Sequence, residues 1–496
     1  MADVLLTHSY HLPFDTKQSQ KMQPYLPLGT LYAATALRDR GISSDVFDVM
    51  LQAPEPGFLT ALRNSEAKIV VVYEDDFNFL SKMCLTRMRE VAWTMARAAK
   101  KVGAITVVHG SDATDNPQLF LENDFDYVLC GEAENLLSDL CSALLNGTEV
   151  PLWDGLARLG ASGRLLRGSQ SLARNPGWSQ LSSPARDLVD LEPYRMAWTG
   201  RHGYFSTNMV ASRGCPFHCN WCAKPISSNR FQLRAASAVA DEMFMLKRAG
   251  VEHIWFGDDI FALNHHWVEQ FAKELADRDA ALPFKIQSRA DLMREDTVRH
   301  LRASGCTEVW MGVESGSQMV LDAMDKGITL DQVAAARERL RIAGIRACFF
   351  LQFGYPGETW IELQQTISLV RRLRPDDIGI SFSYPLPGTV FYDRVRSQLG
   401  VKRNWTESND LCIMFKAAYT TDFYRAVRDA LHAEVNSWTK LNPECSEVNS
   451  MWQIVEHMEP SSRVSDPCVC EPDLDLASSP MFVSVESLIS PSGSRQ

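Results

Sequence analysis

The chain has 496 residues, 45% of them hydrophobic and 22% charged, a length that exceeds one hydrophobic core and implies two to four domains. A net charge of -11 argues against a nucleic-acid backbone as the main partner. No run of about 18 apolar residues predicts a membrane-spanning helix, and twelve cysteines over this length do not resemble a disulfide framework.

The first 150 residues alternate short apolar runs with amphipathic stretches. "DVLLTH" (3–8), "SDVFDVM" (44–50), "AKIVVVYED" (67–75), "AITVVHG" (104–110) and "FDYVLCG" (125–131) predict strands. "LGTLYAATALRDRG" and a long segment ending at "ARAAKKVG" predict helices between them. Strands apolar on both faces, alternating with helices, predict a doubly wound parallel sheet whose ligand crevice lies at the strands' carboxyl ends. The start, "MADVLLTHSYHLPFD", carries no basic segment followed by a long apolar one, so a cytoplasmic protein without a secretory leader is expected.

Residues 151–203 have weak periodicity and scattered Gly, Pro and Ser, which predicts a linker with one hairpin. A second alternating series fills 204–400, with strands expected at "YFSTNMVAS", "HIWFGDD", "FKIQSRAD", "EVWMGVES", "ACFFLQFGY" and "IGISFSYP". Six such units predict a partial (β/α)6 barrel of the TIM type with its chemistry at the strands' carboxyl ends. Residues 401–459 predict a helical segment, and the Ser-, Pro- and Asp-rich stretch 460–496, with Cys468 and Cys470, predicts a disordered tail.

"SRGCPFHCNWCAKP" falls just after the first strand of this barrel and sets Cys215, Cys219 and Cys222 at Cys-x3-Cys-x2-Cys spacing. Soft thiolates so spaced suit three irons of a [4Fe–4S] cluster, leaving the fourth iron open to a substrate or cofactor. A three-thiolate zinc is the structural alternative, although no fourth ligand or water-activating pattern stands nearby. Cys84, Cys130, Cys141, Cys306, Cys348 and Cys412 read as ordinary buried thiols.

The three-cysteine loop, with the barrel around it, resembles the radical S-adenosylmethionine (radical SAM) superfamily over residues 204–400. The resemblance implies that S-adenosylmethionine chelates the open iron and is cleaved reductively to methionine and a 5′-deoxyadenosyl radical. It implies a place near the adenine for Trp221, and contacts to the methionine amino group from Gly257, Asp258 and Asp259, where the family more often carries glutamate. Ser288 and Arg289 match positions suited to ribose and the methionyl carboxylate, Glu314 to ribose or amine, and Gly354 to close approach of the adenine. For each charged residue the plain alternative is an ion pair at the barrel mouth.

The order of domains resembles the cobalamin-binding class of this superfamily. That implies cobalamin contacts from Tyr10, Tyr73, Asp76, His109, Gly110, Ser111, Gly131 and Glu132, in the loops after the N-terminal strands. The Asp-x-His-x-x-Gly pattern that supplies a histidine to cobalt elsewhere is absent; His8 and His11 are loop histidines by default. The acidic loop Glu74, Asp75 and Asp76 is either an interdomain element or a solvated turn. His265 and His266 are expected on the surface, as is His218. The resemblance implies methylation of an unactivated carbon in a small or lipid-like molecule, with flavodoxin or ferredoxin as reductant. A non-methylating oxidation or ring closure, as in the anaerobic magnesium-protoporphyrin ester cyclase, is the enzymatic rival. A non-catalytic iron–sulfur or corrinoid sensor is the other.

Overall fold

Valines and isoleucines of the first strands are buried alternately on two faces, and this divides the N-terminal core into two layers. Leu5, Val70, Val72 and Val108 cluster on one side with Phe58 and Met95; Val4, Leu6, Val71 and Val107 cluster on the other with Ala33, Leu37 and Leu137. The computed structural model, which describes residues 2–77, 83–169, 182–438 and 445–465, builds here a sheet of β1 (Val4–Thr7), β2 (Ser44–Phe47), β3 (Ile69–Tyr73), β4 (Ile105–His109) and β5 (Tyr127–Leu129), with β6 (Leu156–Leu159) and β7 (Leu165–Arg167). The order is β2-β1-β3-β4-β5-β6-β7, parallel through β5 and antiparallel thereafter. Reversal of order between β1 and β3 opens a crevice at their carboxyl ends.

The hairpin expected in the linker is therefore not between domains: β6 pairs with β5 and extends the first sheet to Arg167. Short apolar runs flanked by Gly155, Gly160 and Gly163 gave too little periodicity to assign its partner. Helix Glu192–His202 completes the connection to the barrel.

The second domain is a six-stranded, wholly parallel sheet of β8 (Ser206–Met209), β11 (His253–Phe256), β12 (Phe284–Ser288), β13 (Cys306–Glu314), β14 (Arg346–Phe353) and β15 (Asp377–Phe382), paired in chain order. Between β8 and β11, β9 (Ser212–Arg213) and β10 (Gln232–Leu233) form a small antiparallel hairpin. The single strand expected over 204–212 thus divides in two. The outer face, with Phe256, Phe284 and Ile286, is buried against Phe271 of helix His265–Asp277. The lumen face, with Trp255, Lys285, Gln287, Trp310 and Phe350, stays half-exposed.

Helices Thr421–Ser437 and Cys445–Met458 close the C-terminal side, tied back by the Arg371–Glu434 ion pair at 2.8 Å. The first residues of the stretch expected to be a disordered tail, 460–465, are ordered. Ser462 accepts the Thr420 N–H at 2.9 Å and Arg463 bridges Tyr419; Cys468 and Cys470 lie outside the described residues. No described helix is long and apolar enough to cross a membrane.

Candidate active site

Hairpin β9–β10 brackets the cysteine loop, and its tightness depends on Gly214. This residue sits at φ +83°, and a Cβ there would lie 2.2 Å from the Arg230 carbonyl. The far side of the loop is pinned through Asn220. Its N–H donates to Met324 O at 3.0 Å, its side-chain amide to Ala323 O at 2.7 Å, and its Oδ1 accepts from the Tyr355 hydroxyl at 2.8 Å. Cys215, Cys219 and Cys222 are thereby half-buried and within electrostatic reach of one another. Among the described residues no three His, Cys, Asp or Glu side chains are grouped so as to hold a metal ion. Burial pushes the Cys222 thiol up to about 12, so a bound cation is what would hold it as thiolate. The Arg289 guanidinium stacks 3.7 Å over Phe217 and reaches within 4.0 Å of Cys219 Sγ.

The residues expected around S-adenosylmethionine gather at this mouth, but several are already engaged. Asp258 is buried, and its carboxylate accepts from Ala211 N–H at 3.0 Å and the Ser212 hydroxyl at 2.5 Å; it shapes the break between β8 and β9. Asp259 is exposed and accepts from Gly214 N–H at 3.1 Å, so of the two it is the one on the cysteine-loop side open to solvent. Gly257 follows β11 with its N–H on Met209 O. Ser288 donates to Phe261 O at 2.8 Å. Glu314 takes a left-handed φ of +64° and forms a buried ion pair with Lys326 at 2.7 Å. Lys326, which the sequence did not single out, lies 6.0 Å from the Trp221 ring, whose buried Nε1 has no partner. Gly354 holds φ +80°, and a Cβ there would strike Ile413 of the C-terminal segment at 2.6 Å.

Glu358, buried beside Gly354, accepts its N–H at 2.5 Å and is pushed up to about 8 by burial. The folded protein therefore holds a proton here that the unfolded chain releases near the ordinary carboxyl pKa, so this site's contribution to stability falls between about pH 4.5 and 8. Glu358→Gln is expected to stabilise the protein by about 1–3 kcal/mol at pH 8 and to leave it unchanged at pH 4. Denaturant unfolding at the two pH values checks this, and equal effects at both would contradict it.

At the carboxyl edge of the first sheet, Tyr73 stacks on His109 with ring centroids 3.9 Å apart. His109 Nε2 donates to Gly131 O at 2.9 Å, leaving Nδ1 buried without a partner. Ser9 Oγ, Tyr73 Oη, Asp75 Oδ2 and Ser111 Oγ are likewise buried and without a hydrogen-bond partner among the described residues. Gly110 lets the backbone pass the Glu74 side chain, 2.9 Å from where a Cβ would be.

The acidic loop is no solvated turn. Asp75 and Asp76 are buried, and Asp76 meets Arg213 of the cysteine hairpin at 3.3 Å. Glu132 accepts from Gln232 at 2.8 Å and pairs with Arg230 at 3.2 Å, and Glu134 pairs with Arg213 at 2.5 Å. Tyr10 departs from expectation, drawn instead into the barrel-side core, stacked on Tyr25 with its hydroxyl toward Asp15. His8 holds one ring nitrogen on Asp48 and His11 one on the Val49 carbonyl, both at 2.8 Å. His218 is exposed against Asn229, His266 is exposed, and His265 caps its helix start with a bond to Thr297.

Residues 209–370 match the radical SAM superfamily. The chain is 25% identical over 403 residues, 80% of its length and 84% of the other's, to an uncharacterized methyltransferase of Pyrococcus horikoshii. It is 25% identical over 311 residues to the anaerobic magnesium-protoporphyrin IX monomethyl ester cyclase of Rubrivivax gelatinosus, covering 60% of this chain and 54% of that one. In fold it is similar to the radical S-adenosylmethionine methyltransferase TsrM of Kitasatospora setae, solved with cobalamin and a [4Fe–4S] cluster, at TM-score 0.66, 21% identity and 80% and 75% coverage.

Proposed function

We propose, from the match of residues 209–370 to the radical SAM superfamily, that the chain is a cobalamin-dependent methyltransferase acting on an unactivated carbon of a small-molecule substrate. The observation that carries this is the seating of the cysteine hairpin on a sheet edge lined with unpartnered polar atoms, through Arg213–Glu134 and Arg230–Glu132. When bound, the cluster and S-adenosylmethionine supply a 5′-deoxyadenosyl radical, and cobalamin supplies the methyl group.

The protein's part is to hold these groups and to keep water away. Cys215, Cys219 and Cys222 would bind the cluster, with the Arg289 charge beside Cys219 offsetting thiolate charge. Trp221, with its free Nε1, and Asp259 are placed to orient the nucleoside and the amine. Tyr73, Asp75, His109 and Ser111 would satisfy the corrin's polar rim. The cyclase relative keeps a non-methylating reading in view.

Anaerobic protein expressed with added cobalamin, then reduced in the presence of S-adenosylmethionine, separates the two readings. Methylation predicts about one cobalt per chain and formation of both S-adenosylhomocysteine and 5′-deoxyadenosine. Formation of 5′-deoxyadenosine with no S-adenosylhomocysteine would remove the methyltransferase and favour the cyclase-like chemistry.

A further inference from the structure

The interior of a barrel of this kind is ordinarily filled by interlocking branched side chains. Here the lumen face is different, because solvent reaches a row of aromatic and polar residues while every outer-face neighbour is buried. Trp310 on β13 stacks on Phe350 on β14, with centroids 4.7 Å apart and planes at 27°. Both lean over Gly379 of β15, where a Cβ would lie 3.1 Å from Phe350 and 3.3 Å from Trp310. The glycine thus leaves room for the two rings to stack face to face as one apolar platform.

One rung toward the amino ends, Lys285 pairs in register with Trp255 on one side and Glu308 on the other. Its ammonium rests 4.6 Å from the Trp255 ring centre and has no hydrogen-bond or ion-pair partner among the described residues. Glu308, the carboxylate across the ladder, is already taken: one oxygen accepts from the Trp310 indole at 2.6 Å and the other pairs with Arg346 at 2.8 Å. Asp377 Oδ1 accepts the N–H of Ile378, and nearby His253 Nδ1 shares a hydrogen bond with the Ser206 hydroxyl. The protein therefore ties up its own carboxylates and leaves one half-buried cation facing the lumen, beside an aromatic platform.

From the juxtaposition of the Trp310–Phe350 platform with the unpartnered Lys285, we infer that the barrel binds a substrate with a flat apolar body and an anionic group at its far end. Four residue steps along β12 and just past its end lead from Lys285 to Arg289 at the mouth, a span of about 13 Å. The anion would thus sit about that far from the reacting carbon, which makes Lys285 a ruler for length as well as a charge partner. The inference rests on reading the barrel mouth as the radical site, and it names the class of molecule that site accepts.

Three probes test it: 1-pyrenebutyrate, its uncharged methyl ester, and 1-pyrenebutyl phosphate, each measured by equilibrium dialysis against the anaerobically reconstituted full chain. Wild type is expected to bind at least one of the two acids about tenfold or more tighter than the ester. Lys285→Met should erase that preference while leaving the ester's affinity unchanged, and Lys285→Arg should keep it. Trp310→Ala should weaken all three probes. The tighter of the two acids tells whether the lumen suits a carboxylate or a phosphate.

Equal affinity for acid and ester in wild type, a preference that survives Lys285→Met, or no binding of any probe would each overturn the inference. Release of 5′-deoxyadenosine by wild type, assayed in the same preparations, reports separately on the radical-site reading.

Discussion

Replacing Cys219 by alanine is expected to take the reconstituted protein from about four irons per chain to less than one, and to lower 5′-deoxyadenosine formation at least a hundredfold. Cys219 is the middle of the three thiols on the loop. Loss of one leaves a cluster with two thiolates, too few to hold it against dissociation. The loop itself should survive, because its anchors are Asn220, through Met324, Ala323 and Tyr355, and Gly214, through the hairpin; none involves the Cys219 side chain. Circular dichroism of the variant should therefore match wild type. Cys141→Ala serves as the control. That thiol is buried in the first domain, pushed up to about 12 by burial alone, and should cost packing but no iron.

Arg213→Met is expected to be the most damaging single substitution for stability, at about 3–5 kcal/mol of unfolding free energy. Arg213 is fully buried between the domains, where it pairs with Glu134 at 2.5 Å and Asp76 at 3.3 Å and lies 4.8 Å from the Phe77 ring centre. Methionine would leave two carboxylates desolvated and without their shared cation. The pH dependence gives the diagnosis. Burial alone would raise the pKa of Glu134, but the attraction and hydrogen bond of Arg213 overcome it and hold the carboxyl below its usual range. A depressed carboxyl contributes stability above its unfolded pKa and loses it as pH falls through the folded value. Without Arg213 the same carboxyl would take up a proton, so the variant's deficit should be smaller at pH 5 than at pH 8. Adding Glu134→Met should recover part of the loss. Urea unfolding of the three proteins at both pH values measures these effects, and a deficit independent of pH and of Glu134 would contradict this account. Because Arg213 stands two residues before Cys215, some loss of iron retention is expected as well.

What the sequence made legible was local. The cysteine spacing, the strand alternation and the glycine turns are written within a few residues of one another, and the six-stranded parallel sheet follows from them. What it hid depends on distant partners. Arg213 and Glu134 are 79 positions apart, and nothing near either predicts the pair. Ser288 and Asp258 look like ligand-facing polar groups at strand ends, but each is consumed by backbone at the break between strands or the loop beside it. The sequence cannot distinguish a polar side chain that serves a turn from one that serves a ligand. Lys326 was not singled out, because its partner Glu314 is brought to it only by the fold. Gly354 was assigned to close approach of a ligand, and close approach is what it permits, although the neighbour is Ile413 from the C-terminal segment. The acidic loop reads equally as solvated or interdomain until the cysteine hairpin is seen to supply its arginine.

The central claim is that Cys215, Cys219 and Cys222 hold a cluster with one open iron that binds and cleaves S-adenosylmethionine. Its most direct test is the reduction of anaerobically reconstituted protein with dithionite in the presence of S-adenosylmethionine, with the nucleoside products quantified. The account predicts about four irons per chain, and 5′-deoxyadenosine and methionine that form in wild type and vanish with any of the three cysteines. A fully loaded cluster that leaves S-adenosylmethionine intact under reduction would contradict it and make the protein an iron–sulfur binder without this chemistry.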